Sequence, residues 1–149
     1  MTSGWEEFEK LVKEAMKKVY SEATIDHAMN PRNLGDMDNA DGFARITGPC
    51  GDTMEIWLRV KNETIAAATF LTDGCGTSLA SGSMATELAK GKKVSEAQKT
   101  SQQDILTALE GLPEESEHCA LLAANTLKAA IKDYLTTKKE SWKRAYRKH

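Results

Sequence analysis

The chain has 149 residues, of which 40% are hydrophobic and 28% charged, and its formal net charge is −2. These values are typical of one globular domain, and the near-neutral charge gives no electrostatic reason to expect nucleic-acid binding. No apolar run is long enough to span a membrane and the first residues are too charged for a signal peptide, so we expect a cytoplasmic protein without membrane contact.

Residues 4–29 are predicted to form one long helix, and Tyr20 marks the point at which it would break. Ser3 and Glu6 fit a capping box at its start. Apolar side chains recur at steps of three and four residues and make one face apolar. We expect this face to pack on the body of the protein or on a subunit partner rather than on a membrane, because the polar face is mixed in sign. The apolar face consists of Trp5, Phe8, Val12, Ala15, Met16, Val19 and Ala23.

A turn-rich loop over residues 32–41 precedes three predicted strands at 42–48, 53–61 and 64–72. A short turn at 62–63 joins the last two, so they are expected to form an antiparallel hairpin. The second strand alternates in a way that is typical of a sheet with one buried face. Its buried face is predicted to carry Met54, Ile56, Leu58 and Val60, and its exposed face Glu55, Trp57, Arg59 and Lys61.

Three helices are predicted after the strands, over residues 77–90, 101–110 and 117–137. Small residues dominate the first of them, so it can approach its neighbours closely. Ser101 and Asp104 fit an N-terminal cap for the second. The third has an inward-facing stripe that consists of Ala120, Ala123, Ala124, Leu127, Ala130, Ile131, Tyr134 and Leu135.

The three cysteines of the chain, Cys50, Cys75 and Cys119, lie 25 and 44 residues apart. Each falls at a predicted junction: the turn between the first two strands, the entry to the helix after the third strand, and the first turn of the last helix. Asp52 and His118 stand beside two of them. Three cysteines in a reducing compartment do not predict disulfides. Three thiolates with a carboxylate or an imidazole supply the four donors of a tetrahedral iron or zinc site.

Glycines at positions 51, 74 and 76 flank the first two thiols. We expect them to leave room for an inorganic group and to expose backbone amides to sulfur. The helix starts at Cys75 and Cys119 favour the thiolate form. The alternative interpretation is that each cysteine is an ordinary buried thiol. The position of all three at junctions, and not on the apolar stripes, favours one shared site.

Several segments of the chain resemble the NifU/IscU family of iron–sulfur cluster assembly scaffolds, the family of the NifU N-terminal domain. The similar segments are YSEATIDHAMNPRN at 20–33, CGDTM at 50–54, DGCGTSLASGS at 73–83, GK…EA at 91–97 and EHCALLAANTLKAAI at 117–131. Because they agree in order and spacing, the resemblance extends over almost the whole chain between the leading helix and the tail.

The resemblance implies an α+β fold in which a small three-stranded antiparallel sheet has helices packed on one face, with long N-terminal and C-terminal helices. We expect a helical extension over residues 1–19, a scaffold domain over 20–137 and a basic tail over 138–149. The tail has six Lys and Arg residues against one Glu. The resemblance leaves open whether the chain forms a homo-oligomer.

The resemblance also implies a function, which is not that of an enzyme. A transient [2Fe–2S] cluster is assembled from iron and from sulfur supplied by a cysteine desulfurase, and then passes to apo-proteins; zinc often occupies the site in isolated scaffolds. The implied cluster-binding and metal-binding residues are Cys50, Asp52, Cys75, His118 and Cys119. Cys119 is the candidate persulfide acceptor because it follows His118 at a helix start. Whether Asp52 or His118 is the fourth ligand stays open.

The sequence departs from the family pattern at Leu112–Ser116, which reads LPEES. Members that an Hsp70-type chaperone recognises have Leu-Pro-Pro-Val-Lys there, so the resemblance does not extend to that partner. The main alternative is a zinc-binding sulfur-acceptor protein of the same family, although that branch has a long insertion between its second and third cysteines. A zinc enzyme that activates water and a zinc-stapled binding module are the other classes, but the motifs typical of both are absent from the sequence.

Overall fold

The structure is a computed structural model of the chain and describes residues 4–139. It confirms the α+β prediction: three antiparallel strands carry helices, with long helices at both ends of the described part. The elements in chain order are α1 (Gly4–Lys17), α2 (Glu22–Met29), β1 (Gly42–Thr47), β2 (Thr53–Lys61), β3 (Thr64–Thr72), α3 (Gly76–Ala89), α4 (Val94–Ala97), α5 (Gln102–Ala108) and α6 (Glu117–Lys139).

The sheet has the strand order β1-β2-β3, in which β2 is the central strand. Gly42 faces Leu58 across the first pair of strands, and Met54 faces Thr72 across the second. Positions 62 and 63, which join β2 to β3, both adopt positive φ angles, of 52° and 62°. Two successive residues in that conformation match the twist of a hairpin, so the predicted two-residue turn is confirmed.

The core lies between one face of this sheet and the helices α3 and α6, which contact β3 and the strands β1 and β2 respectively. Met54, Ile56 and Leu58 of β2 are fully buried in it. The small residues of α3 allow close packing, since Gly82 lies directly against the ring of Phe70. The alanine stripe of α6 is buried as predicted, and only its last members, Tyr134 and Leu135, are half-buried.

The other face of the sheet differs from the prediction at Trp57, which was expected to be exposed. Its side chain is only 5% exposed, and its ring lies 5.1 Å from the ring of Phe43, centroid to centroid. Arg59 on the same face donates a 2.7 Å hydrogen bond to the carbonyl of Asp38. The alternating pattern assigns each residue to one face of the sheet, but it does not show contacts between strands on that face. It therefore did not predict the aromatic pair that covers part of the outer face.

The predicted long front helix is two helices, and the break falls at residues 18–21, around Tyr20. Ser21 caps α2, because its hydroxyl accepts a 3.0 Å hydrogen bond from the amide of Thr24. The body of the protein does not cover the apolar face of α1: this helix has no buried residue, and Trp5 and Phe8 are 70% and 59% exposed. A subunit partner on this face stays a prediction.

The remaining elements confirm some predictions and add others. The capping box of α5 is present, with Ser101 and Asp104 bonded to each other's backbone amides. Helix α4 and a short 3-10 turn at Glu114–Ser116 were not predicted. Ser3, and with it the expected capping box of α1, lies outside the described residues, as does most of the basic tail. Between residues 4 and 139, no helix combines the length and apolar character needed to cross a bilayer.

Candidate metal centre

The three thiols lie where different elements begin or turn. Cys50 is in the turn between β1 and β2, Cys75 is the N-cap residue of α3, and Cys119 lies in the first turn of α6. These are the three junctions predicted from the sequence. The turn that holds Cys50 requires glycine at position 51, where φ is 92°. A hydrogen bond of 2.8 Å from the amide of Gly48 to the carbonyl of Asp52 closes the turn.

The hydroxyl of Thr77 joins two of the thiols. Its Oγ1 lies 3.1 Å from Sγ of Cys75 and 3.4 Å from Sγ of Cys119. Thr77 and Cys119 are 5% and 2% exposed, whereas Cys75 is exposed. A buried residue of α3 therefore sets the separation between a thiol at the surface and a thiol in the interior.

Ser78, the next residue of α3, joins Asp52 to the third thiol. Its Oγ donates a 3.2 Å hydrogen bond to Oδ2 of Asp52 and lies 3.5 Å from Sγ of Cys119. This close approach depends on Gly74, because a Cβ at that position would lie 2.9 Å from Oδ2 of Asp52 and closer still to the Ser78 side chain. The room expected at Gly74 is thus occupied by Ser78.

The exposed side of the centre consists of Cys50, Asp52 and His118. One ligand atom from each of the three lies within 4.8 Å of the other two, which is close enough to surround a metal ion. Cys50 and His118 are exposed, and Asp52 is half-buried. Nε2 of His118 is 3.7 Å from Sγ of Cys119, which connects this trio to the buried thiol.

All five residues predicted for the site therefore lie in one connected group, although Cys75 and Cys119 are outside the tight trio. Thiolate, imidazole and carboxylate are the ligand types that iron and zinc accept in proteins. Sequence reasoning missed the two hydroxyl residues, Thr77 and Ser78, that connect the thiols to each other and to Asp52. Their only sequence signal is their position in the first turn of the helix that follows Cys75.

The surroundings of Cys75 lower the pKa of its thiol below the usual value. The largest cause is the hydrogen bond from the Thr77 hydroxyl, and the backbone amides of Thr77 and Ser78 add to it. Partial burial and the carboxylate of Asp52 act in the opposite direction. A donor to sulfur stabilises the thiolate, which is the form that binds metal and attacks electrophiles. Cys75 combines this with exposure to solvent.

Residues 19–141 match the model of the family described as NifU-like N terminal domain. A curated relative, the iron–sulfur cluster assembly scaffold protein IscU of Escherichia coli strain K12, is 47% identical over 120 residues, which are 77% of this chain and 93% of that protein. Iron–sulfur cluster assembly scaffold protein IscU 1 of Archaeoglobus fulgidus is 45% identical over 117 residues, with 78% of this chain and 76% of that protein covered.

Among solved structures, the N-terminal part of a nitrogen-fixing NifU-like protein from Brucella abortus has the same fold. The TM-score is 0.64, and the match covers 81% of this chain and 97% of that one at 16% sequence identity. At that identity, the likeness shows the fold alone.

Proposed function

The chain belongs to the NifU-like N-terminal domain family, and we propose that it is a scaffold on which a transient [2Fe–2S] cluster is assembled and from which the cluster passes to apo-proteins. The observation that carries the proposal is the convergence of three free thiols with a carboxylate and an imidazole at one end of the sheet. In this proposal the protein holds and transfers its cargo and does not itself turn over a substrate.

The proposed ligands of the cluster are the thiolates of Cys50, Cys75 and Cys119, with Asp52 or His118 as the fourth donor. Four thiolates would give a durable electron-transfer centre. A harder oxygen or nitrogen donor binds iron less tightly than sulfur does, so it leaves one corner of the cluster open to exchange. The half-buried carboxylate and the exposed imidazole are both within reach of Cys50, which supports this arrangement.

Sulfur is proposed to arrive as a persulfide from a cysteine desulfurase, with Cys119 as the acceptor. The Cys119 thiolate attacks the outer sulfur of the donor persulfide, the donor's S–S bond breaks, and the desulfurase leaves as a thiolate, so the transfer needs no oxidant. Because Cys119 is 2% exposed, docking of the desulfurase has to open its surroundings. Cys75 is the rival acceptor, since it is exposed and the pKa of its thiol is lowered.

Mass spectrometry after incubation with desulfurase and cysteine tests the acceptor. The expected result is an added sulfur on Cys119 in the peptide that contains it. An added sulfur on Cys75 alone would show that Cys75 is the acceptor instead.

The proposed partners are a desulfurase and apo-protein acceptors. A dedicated Hsp70-type chaperone is not proposed, because Leu112–Ser116 lacks the second proline and the lysine. A reducing compartment such as the cytoplasm is proposed, since the thiols must stay free.

A zinc-binding sulfur acceptor of the same family is the second candidate, because the same donors suit zinc. Anaerobic reconstitution with iron, sulfide and thiol separates the two. A scaffold is expected to develop the visible absorption of a [2Fe–2S] cluster and to bind iron and sulfide in equal amounts. Zinc that stays bound and that iron does not displace under these conditions would reject the scaffold proposal in favour of the zinc protein.

A further inference from the structure

The connection between α5 and α6 leads directly to the metal centre, and a side chain holds its last peptide group. Nε2 of Gln102, the first residue of α5, donates a 3.0 Å hydrogen bond to the carbonyl of Glu117, the first residue of α6. His118 is the next residue in the chain. Because a peptide group is planar, the carbonyl of Glu117 and the amide nitrogen of His118 move as one unit. Gln102 therefore fixes the plane from which His118 extends.

This hydrogen bond is additional to those of the helix itself. In an α-helix that begins at Glu117, the carbonyl of this residue accepts from the amide four residues further along. A carbonyl oxygen has two lone pairs, so it can accept from Gln102 as well. Loss of the Gln102 amide would leave the carbonyl with its helical donor, and no buried acceptor would lose its last partner. The bond therefore contributes to the position of the helix start more than to the satisfaction of polar groups.

The position of the His118 imidazole depends on its backbone, because the side chain is in solvent. The ring is exposed, and its Nε2 lies 3.7 Å from Sγ of Cys119. Core packing fixes buried side chains and does not hold an exposed ring in place. Helix ends also fray, since the first amides of a helix have no partner inside it. The first turn of α6 consequently needs an outside anchor if the ring is to stay within reach of Cys50 and Asp52.

The fold also fixes Gln102 itself. The capping box formed by Ser101 and Asp104 defines the first turn of α5, to which Gln102 belongs, and α5 packs on α6. We propose that Gln102 is a positioning residue, whose amide holds the start of α6 so that the imidazole of His118 stays beside Cys50 and is available as a metal ligand. The proposal rests on the metal-binding role of His118 in the proposed function. Loss of a residue that orients a metal ligand typically lowers metal affinity by about 10–100-fold.

A double-mutant cycle with cobalt(II) as the probe tests this positioning role. The affinity of the full-length protein for cobalt(II) is measured anaerobically, from the visible absorption that the bound ion develops. We expect His118→Ala to weaken cobalt binding by about tenfold or more in the native background. In the Gln102→Leu background the same change should cost about threefold or less, because the imidazole is already displaced. Cobalt binding requires neither desulfurase nor sulfide, so the cycle has an outcome whether or not a [2Fe–2S] cluster assembles.

Gln103→Leu is the matched control, since this neighbouring residue is exposed and its Nε2 bonds the hydroxyl of Thr107 within α5. In that background His118→Ala should keep its full cost. Thr24→Val is the control for stability, because it removes a hydroxyl of α2 that donates a 3.0 Å hydrogen bond to the carbonyl of Leu109, at the other end of the connection. It should lower the midpoint of denaturant unfolding and leave the cost of His118→Ala unchanged.

An equal cost of His118→Ala in the native and Gln102→Leu backgrounds would overturn the proposal, because the imidazole would then not depend on Gln102. A cost that falls equally in the Gln103→Leu or Thr24→Val background would also overturn it, since a general loosening of the structure would explain the result. If His118→Ala has no effect even in the native background, His118 is not a ligand and the positioning proposal fails. The scaffold function would then stand with Asp52 as the fourth donor.

Discussion

The buried and exposed sides of the metal centre are built differently. On the buried side, Cys119, Thr77 and Ser78 are 2%, 5% and 0% exposed and belong to the packed helices α3 and α6. On the exposed side, Cys50 lies in a turn, His118 has its side chain in solvent and Asp52 is half-buried. We call these two groups of three residues the floor and the rim. A floor fixed by core packing, with a rim that is open to solvent, suits a site that must both hold and release its cargo.

The largest difference between floor and rim is expected from removal of a thiol on each side. Cys119→Ser should reduce the yield of reconstituted cluster by tenfold or more, because the floor has no second soft donor to replace the lost thiolate. Cys50→Ser should retain more cluster, since neighbouring rim donors or water can move into the vacant position. Visible absorption and bound sulfide measure the yields.

Thr126→Ser is the control for the first of these variants, because it alters a buried residue two turns further along α6 that does not touch the thiols. It should assemble cluster normally. Equal yields from Cys119→Ser and Cys50→Ser would remove the distinction between floor and rim.

The second prediction tests the link between floor and rim at Gly74. Gly74→Ala places a methyl group against Ser78 and Asp52, so the bond between these two side chains has to shift. We expect a loss of about 1–3 kcal/mol in the free energy of unfolding, the usual cost of overpacking a buried site, and a reduced cluster yield. Denaturant unfolding measures the first quantity.

Gly76→Ala, two residues away, is the matched control. A Cβ there meets only the methyl group of Ala28 at 3.7 Å, which is an ordinary contact distance. Its stability should stay within about 0.5 kcal/mol of the native protein or rise slightly, since alanine favours the first turn of α3. If both variants lose the same stability, the close approach at Gly74 is not what holds Asp52.

A smaller effect is expected at Cys75, the exposed thiol that the hydroxyl of Thr77 joins to the floor. Thr77→Val keeps the shape of the side chain but removes the hydroxyl that donates to Cys75. Because that hydroxyl stabilises the thiolate, its loss raises the pKa of Cys75. The pH at which the alkylation rate of Cys75 reaches half its maximum should therefore rise, and the alkylation rate at neutral pH should fall.

The comparison variant is Ser81→Ala, which removes a buried hydroxyl one turn along the same helix, where it bonds the carbonyl of Thr77. It should not move the alkylation midpoint of Cys75. A midpoint in Thr77→Val equal to that of the native protein would show that the hydroxyl does not control the thiol.

The sequence was sufficient to predict those parts of the fold that local patterns determine. The alternation in β2, the two-residue hairpin turn and the capping box at Ser101 and Asp104 each depend on neighbours close in the chain, and all three are present. The five candidate site residues could be named because they stand at predicted junctions. Their roles as ligands and the domain boundaries at 19 and 137 stay predictions.

The features that the sequence did not reveal depend on contacts between distant segments. The burial of Trp57 depends on Phe43, which lies on another strand. Thr77 contacts Cys119 of α6, and Ser78 contacts Asp52 at the end of the turn between β1 and β2. The sequence also did not predict that α1 is exposed, because an amphipathic period gives the direction of an apolar face but does not show what covers that face.

Transfer of a preformed [2Fe–2S] cluster to an apo-ferredoxin, compared between the native protein and Asp52→Ala, tests the central claim most directly. Asp36→Ala, which removes an exposed carboxylate in the loop before β1, is the control and should behave as the native protein does. If Asp52 is the weakly bound donor at the fourth position, its removal leaves that position to the neighbouring imidazole of His118, which binds iron more tightly than a carboxylate does, so transfer should slow and the lifetime of the cluster on the scaffold should lengthen. Equal or faster transfer from Asp52→Ala would contradict this account.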